Sequence, residues 1–300
     1  MADTAFRFEN VHKRFGRTEA LRGFSLSVSK GGVVGFLGRN GAGKTTAIRC
    51  LVGLQRPDQG RVEFLGAEPW DMGVAVKQRL GYLSERGVPF PWATTEDLVA
   101  LCKPLYPQWD SALEKDLLER FRIDRTKKLK ALSLGQQRAV GLLLALCPRP
   151  EVLVLDEPAA NLDAVVRREF LEHILDLVGS EGRTVFFSSH ILSDVERLAD
   201  RIALIGDGKL VLERGTDELK EQVRRLRLVF AGDVPADLKV AGAVRVRRQG
   251  REALVTVDGF GEGTAERVAR ETGARVEVQA MGLEELFIDL AGGDAAGKAA

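Results

Sequence analysis

Gly38-Arg39-Asn40-Gly41-Ala42-Gly43-Lys44-Thr45 is the stretch that decides the fold. It follows Val33-Val34-Gly35-Phe36-Leu37, a short apolar run that reads as a buried strand. It leads into a helical pattern from Gly43 through Leu54, with Ala47, Ile48, Leu51 and Val52 on one side. Strand, glycine loop and helix together form a unit that positions a phosphate group. Glycines let the backbone curl until successive N–H groups point inward, and the helix N-terminus adds a fixed partial positive charge. The run satisfies G-x-x-x-x-G-K-[ST]. Gly38, Arg39, Asn40, Gly41, Ala42 and Gly43 are therefore expected to cradle phosphates, and Lys44 to reach the β- and γ-phosphates. The Thr45 hydroxyl is a candidate ligand for Mg²⁺, with Thr46 beside it as a further nucleotide contact.

Working outward, Val152-Leu153-Val154-Leu155-Asp156-Glu157 is an apolar run that stops in two carboxylates. A buried parallel strand ending this way delivers both acids to the carboxyl edge of the sheet, where the phosphates lie. Asp156 is then the candidate Mg²⁺ holder, and Glu157 the group that orients and polarises the attacking water. A pair of acids at a strand end is often only a solvated turn, and the phosphate loop is what gives this pair its meaning.

The remaining pattern alternates strands and helices, which argues for an α/β core with a mainly parallel sheet. Strand-like segments fall at 5–8, 24–28, 33–37, 152–155 and 184–187, and helical ones at 135–147, 167–177 and 191–199. Between Asp97 and Arg122 the period is helical, with Leu98, Leu101, Leu113, Leu117, Leu118 and Phe121 as candidate buried positions. Pro104, Pro107 and Trp109 divide it into several short helices. Beyond about Asp217 the texture changes. Antiparallel-looking strands at 226–230, 244–247 and 253–257 precede a helix at 262–272, a strand at 275–279 and a helix at 283–290. The expected organisation is a main domain over 1–216 with a helical insertion at about 86–132, a small α+β domain over 217–290, and a Gly/Ala-rich, disordered tail at 291–300.

Bulk composition narrows the function classes. Among 300 residues, 44 Lys and Arg balance 43 Asp and Glu for a formal net charge of +1, so no nucleic-acid partner is expected. Three scattered cysteines, Cys50, Cys102 and Cys147, make neither a disulfide framework nor a zinc cluster, which suits a reducing compartment. No stretch approaches the roughly 18 to 20 apolar residues of a membrane span, and Met1 to Glu9 has no apolar signal core. Any membrane role is expected to come through a partner.

A third motif separates the many phosphate-loop families. Leu132-Ser133-Leu134-Gly135-Gln136-Gln137-Arg138 resembles the LSGGQ signature of the ABC (ATP-binding cassette) ATPases. Further elements arrive in that family's order. Phe15 sits where an aromatic ring stacks on adenine, and Gly81-Tyr82-Leu83-Ser84-Glu85 looks like the segment ending in the Q-loop. Ala160-Asn161-Leu162-Asp163 looks like the D-loop, and Ser188-Ser189-His190 like the switch histidine after a strand. The resemblance covers roughly residues 5 to 215.

It implies the fold of a P-loop NTPase of the ABC type, with antiparallel N-terminal strands and a helical subdomain. It also implies ATP with Mg²⁺ as the bound species, held at Thr45, Asp156 and Glu85. In that family two cassettes face head to tail, so Ser133, Gly135 and Gln136 would contact the nucleotide of a second cassette, most simply an identical chain. Lys44, Glu157 and His190 would carry hydrolysis, with His190 able to hydrogen-bond the γ-phosphate and the water. His12 and His173 have no such context and read as surface or packing residues.

Three departures stand out. Glu85 replaces the usual glutamine, which adds charge and changes donor capacity. Leu134 replaces the first signature glycine and is expected to keep ordinary backbone, because leucine is costly at positive φ. Asn161 and Ala164 also differ from common D-loop residues.

The resemblance further implies the energy-coupling subunit of a transporter, lying on the cytoplasmic face of the cell membrane against a multi-span subunit on a separate chain. Val88-Pro89-Phe90-Pro91-Trp92 offers an apolar docking surface. The segment from about Asp217 to Leu283-Glu284-Glu285-Leu286-Phe287 resembles the tails of bacterial drug, antibiotic and bacteriocin exporter cassettes. The other reading is a soluble ABC ATPase of DNA repair or translation. The first type inserts a long coiled coil and the second carries two cassettes in one chain, and neither feature is present.

Overall fold

Alternating apolar and polar side chains carry β1 (Thr4–Phe15) and β2 (Thr18–Ser29) as an antiparallel pair. β3 (Gly32–Leu37) is by contrast almost wholly buried. α1 (Lys44–Leu51) follows the glycine loop, then β4 (Gln59–Phe64), the short α2 (Val74–Lys77) and β5 (Leu80–Leu83). α3 (Thr95–Cys102), α4 (Ser111–Arg120) and α5 (Leu134–Leu146) make up the helical part. β6 (Val152–Leu155), α6 (Ala164–Gly179), β7 (Thr184–Ser189), α7 (Leu192–Leu198), β8 (Arg201–Gly206) and β9 (Lys209–Gly215) complete the core. The computed structural model describes residues 3–179 and 182–291. The tail expected to be disordered lies, from residue 292 on, outside them, as does the side chain of His173.

The chain divides into two compact units, Met1–Glu213 and Arg214–Ala300. In the first, a six-stranded sheet runs β5-β6-β7-β3-β8-β9, and the pairs from β5 to β8 are all parallel. β8 turns into β9 through Asp207 and Gly208, both at positive φ (45° and 77°), the geometry of a two-residue hairpin turn. A three-stranded antiparallel sheet, β2-β1-β4, lies alongside in the same core. Phenylalanines join the two sheets. Phe186 of β7 stacks on Phe36 of β3 with centroids 5.0 Å apart, and meets Phe6 of β1 edge-on at 5.0 Å. Phe186 is fully buried. Phe186→Ala should therefore cost about 3–5 kcal/mol; a melting curve close to that of the parent chain would contradict the role given to this cluster.

Local chemistry sets the helix ends. α1 stops at Leu51, three residues short of the Leu54 that periodicity alone suggests. Gly53 takes φ 75° and the Leu54 N–H returns to the Arg49 carbonyl at 2.9 Å, a left-handed stop that satisfies the last carbonyls. α3 begins at a reciprocal cap between Thr94 and Asp97, and α4 begins where Asp110 accepts from the N–H groups of Ala112 and Leu113. Lys103–Leu105, with Pro104, forms a single 3₁₀ turn between them. Leu117 is buried with Val99, Leu143 and Cys147, whereas Leu101 is 60% exposed. The expectation that Leu101 is a core residue is corrected. It lies on the rim of an apolar groove of about 460 Å³, with Val88, Phe90 and Leu98.

Among its described residues, the second unit is a four-stranded antiparallel sheet in the order β11-β12-β10-β13, with three helices. Its elements are α8 (Thr216–Gln222), β10 (Val223–Val229), β11 (Ala243–Gln249), β12 (Glu252–Asp258), α9 (Thr264–Thr272), β13 (Arg275–Gln279) and α10 (Leu283–Ala291). Leu226, Leu228, Val255 and Val268 share its core. The buried Asp289 of α10 accepts from Thr256 Oγ1 at 2.6 Å and pairs with Arg225, Arg245 and Arg247, which fixes α10 to this sheet.

Candidate active site

Three strand ends supply the site, all at the carboxyl edge of the parallel sheet: β3 leads to the glycine loop, β6 to Asp156 and Glu157, and β7 to Ser188, Ser189 and His190. β6 and β3 both pair with β7, so sequence-distant segments converge there. The glycine loop needs its glycines. Gly43 has φ 111°, and a Cβ there would meet the Ala20 carbonyl oxygen at 2.6 Å. Gly43 is also the N-cap of α1 and has no side chain to cap it. No acidic residue occupies the first turn, so the helix N-terminus is left to an anion.

Lys44 is buried, and its Nζ donates to the Gly38 carbonyl at 2.7 Å. It also lies 3.2 Å from Glu157 Oε1. The other Glu157 oxygen is 2.8 Å from His190 Nδ1, so one carboxylate links the phosphate-loop lysine to the histidine. Glu157 takes φ 47°. A non-glycine residue at positive φ stores strain, and here the Glu157 N–H donates to Ser188 Oγ at 2.8 Å. The Ser188 hydroxyl in turn donates to Asp156 Oδ1 at 2.8 Å, and the Thr45 hydroxyl donates to the same oxygen at 3.2 Å. Ser188 is fully buried, and this bridging role is one that motif spacing did not announce.

Asp156 Oδ2 is buried without a partner. Burial raises the Asp156 carboxyl above its usual range; the Ser188 and Thr45 hydrogen bonds oppose the shift, while the charges of Glu85 and Glu157 add to it. This orphaned oxygen beside the Thr45 hydroxyl, with the Glu85 carboxylate nearby, is a hard, all-oxygen donor set of the kind Mg²⁺ takes. Among the described residues no group of three His, Cys, Asp or Glu side chains could hold a metal. Mg²⁺ commonly needs only one or two carboxylates when phosphates and waters complete its shell.

Arg39, Asn40, Gly41, Thr46, Glu85 and His190 line a cleft of about 420 Å³ together with Lys44, Thr45 and Glu157. Asn161, at φ 63°, lines it too. Ala42 is buried, and its carbonyl accepts from the Gly208 N–H at 3.0 Å, so the β8–β9 turn braces the loop. Phe15 lies outside the lining, 48% exposed at the end of β1, with Lys13 Nζ 5.7 Å from its ring centroid. His12, on the same strand, pairs with Glu19 at 3.2 Å.

Ser133, Gly135 and Gln136 are not brought to this cleft. Ser133 caps α5: its hydroxyl accepts from the Gln136 N–H at 3.2 Å, and Gln136 Oε1 accepts from the Ser133 N–H at 3.0 Å. Gln136 Nε2 donates to the Arg122 carbonyl at 2.8 Å, so both ends of that amide are engaged within the chain. Leu134 opens α5 without positive φ, half exposed.

The family model described as ABC transporter matches residues 21–160, and one described as an AAA domain matches residues 97–237. Among curated proteins, the chain is 34% identical to the daunorubicin resistance ATP-binding protein DrrA3 of Streptomyces coeruleorubidus, over 98% of each chain. It is 30% identical to the methionine import ATP-binding protein MetN of Mesorhizobium japonicum, over 98% of this chain and 87% of that one. Among solved structures, a dimeric post-hydrolysis state of the ATP-binding cassette MJ0796 bound to ADP and Pi superimposes with a TM-score of 0.63 at 22% identity, over 70% of this chain and 98% of that one.

Proposed function

The chain belongs to the ABC transporter ATP-binding family and is an ATPase, and from that premise we propose that it drives export, with ATP bound between two cassettes. The observation that carries this reading is the split of the motifs. Lys44, Thr45, Glu157 and His190 converge on one cleft, with Asp156 joined to it through the Thr45 hydroxyl, while Ser133 and Gly135 stand outside it at the start of α5. A cleft so built is half of a site. A second copy, turned head to tail, would bring its own Ser133 hydroxyl and α5 N-terminus to the γ-phosphate, with Gln136 holding that helix start in shape.

In each half-site the loop amides from Gly38 to Thr46 and the N-terminus of α1 take the β- and γ-phosphates. Lys44 exchanges its partner Glu157 for phosphate oxygens. Released from that pair, Glu157 accepts a hydrogen bond from the attacking water and polarises it. His190, whose Nδ1 faces Glu157, turns its other ring nitrogen toward the phosphate. Thr45 and Asp156, with Glu85 beside them, would hold Mg²⁺, which would supply neutralising charge to the phosphates.

Adenine stacks on Phe15, exposed where β1 ends. Base–aromatic stacking is worth about 1–3 kcal/mol, so Phe15→Ala should weaken ATP binding about 10- to 100-fold with little change in kcat. Equal affinities for the two proteins, by titration with a fluorescent ATP analogue, would remove Phe15 from the site.

The partner is a membrane protein on a separate chain. No helix among the described residues is long and apolar enough to cross a membrane. The groove beside Glu85, with Phe90 in its lining and the exposed Trp92 packed edge-on against that ring, is the apolar surface for such a partner. Export is preferred to import because the match to the resistance protein is closer and spans nearly all of both chains. Affinity capture from native membranes tests this. Recovery of a multi-span protein is the expected result; recovery of ribosomes or DNA-repair proteins in its place would overturn the transport reading.

A further inference from the structure

Arg138 belongs to α5, the helix that begins at the Ser133 cap, and only 4% of it is exposed. One guanidinium nitrogen, Nη1, donates to the Ser84 carbonyl at 2.9 Å. Its Nε is buried with no partner. A buried guanidinium with an idle donor is costly unless a nearby charge offsets it. The charges it meets are those of Glu85 and Asp156, and burial holds its own pKa below the usual arginine value. On the other side of Ser84, the exposed Glu85 carboxylate has no hydrogen bond or ion pair among the described residues. Glu85 lines both the nucleotide cleft and the apolar groove. An acid and a base, each short of partners, thus flank one peptide unit, at the place where this chain departs from the family's glutamine.

We propose that Arg138 is a positioning residue for Glu85: in the ATP-loaded protein its guanidinium pairs with the Glu85 carboxylate and ties the rim of the cleft to the helix carrying the signature. A neutral glutamine would need no such cation. A carboxylate beside Asp156, Glu157 and the incoming phosphates does, because like charges at close range repel. Arg138 offers that cation from behind, in the first turns of a helix whose N-terminal cap, Ser133, serves a second cassette. A shift of α5 is then felt at Glu85, and the reverse holds by linkage. This rests on the reading of the cleft as an ATP site.

The test is a double-mutant cycle on the purified full chain, with steady-state ATP hydrolysis in Mg²⁺ and melting without nucleotide. Arg138→Gln is expected to lower kcat about tenfold while KM for ATP moves less than about twofold, and Arg138→Gln/Glu85→Gln to return to within about threefold of Glu85→Gln alone. Arg138→Lys, which keeps the charge, should stay well above Arg138→Gln, and it serves in the same comparison if the glutamine variant fails to fold. Losses that multiply in the double variant, or a lysine variant as poor as the glutamine one, would reduce Arg138 to a packing residue. A parent chain that does not hydrolyse ATP would overturn the reading of the cleft itself, and this inference with it. Multiplying losses in an active parent would overturn only the inference.

Discussion

Glu157→Gln is expected to cut ATP hydrolysis by about two to three orders of magnitude while leaving ATP bound. Glutamine keeps the shape of the side chain, and the backbone N–H can still donate to Ser188. It loses the negative charge that polarises water. It also loses the charge that holds Lys44 at 3.2 Å in the nucleotide-free protein, so Lys44 is left free for phosphate and ATP affinity should not fall. Slow hydrolysis with intact binding lets the closed pair of cassettes accumulate. Phosphate release measured beside size-exclusion chromatography in saturating ATP and Mg²⁺ reads both effects. Activity within about tenfold of the parent would be too small a loss for a group that handles the water, and a variant that stays monomeric in ATP would count against the two-cassette site.

Lys44→Met should act on binding and on the fold. Hydrogen bonds to charged groups are worth about 1.5–3 kcal/mol each, so ATP should bind about 10- to 100-fold more weakly, or worse where two phosphates are lost. The second effect comes from what methionine leaves behind. Glu157 is 7% exposed, and without Lys44 the side chain left beside its carboxylate is His190 at 2.8 Å. Removing one member of a buried pair costs about 3–5 kcal/mol, and the open cleft puts the figure toward the lower end. The nucleotide-free melting temperature should therefore fall, and adding Glu157→Gln to Lys44→Met should restore part of it. Unchanged melting in Lys44→Met would mean that solvent already screens this pair.

The site was legible wherever its chemistry is local in sequence. Gly38 to Thr45 and Val152 to Glu157 each combine a buried strand with the residues it delivers, so a few positions state both the element and its task. Ser188 was seen only as part of a motif. Its bridge from the Asp156 carboxylate to the Glu157 N–H depends on β7 lying beside β6, and no spacing encodes that pairing. Arg138 reads only as the end of the signature for the same reason, since its partner is a carbonyl from the loop after β5. In the fold, periodicity marks no strand at β4, β5, β8 or β9. Leu80–Leu83 offers only four residues of pattern. For β8 and β9 a usable signal was present: Asp207-Gly208 between apolar runs is a hairpin sequence. Leu101 reads as core yet is exposed, because helical periodicity marks an apolar face without saying whether this chain or another molecule covers it.

The order of strands in the parallel sheet has a consequence for how the molecule comes into being. β3, which carries the phosphate loop, pairs on one side with β7 and on the other with β8. On a ribosome the loop emerges early, yet both neighbours of its strand are among the last parts of this unit to be made. Until residue 189 has left the exit tunnel, Val33 to Leu37 has no ladder on either edge; until residue 206 follows, one edge stays open and the turn that braces Ala42 does not yet exist. Pairings so remote close slowly and leave apolar edges open while they wait. A nascent chain holding every residue of the phosphate loop is therefore not yet able to grip a nucleotide, and it is then that a chaperone would matter most to this protein.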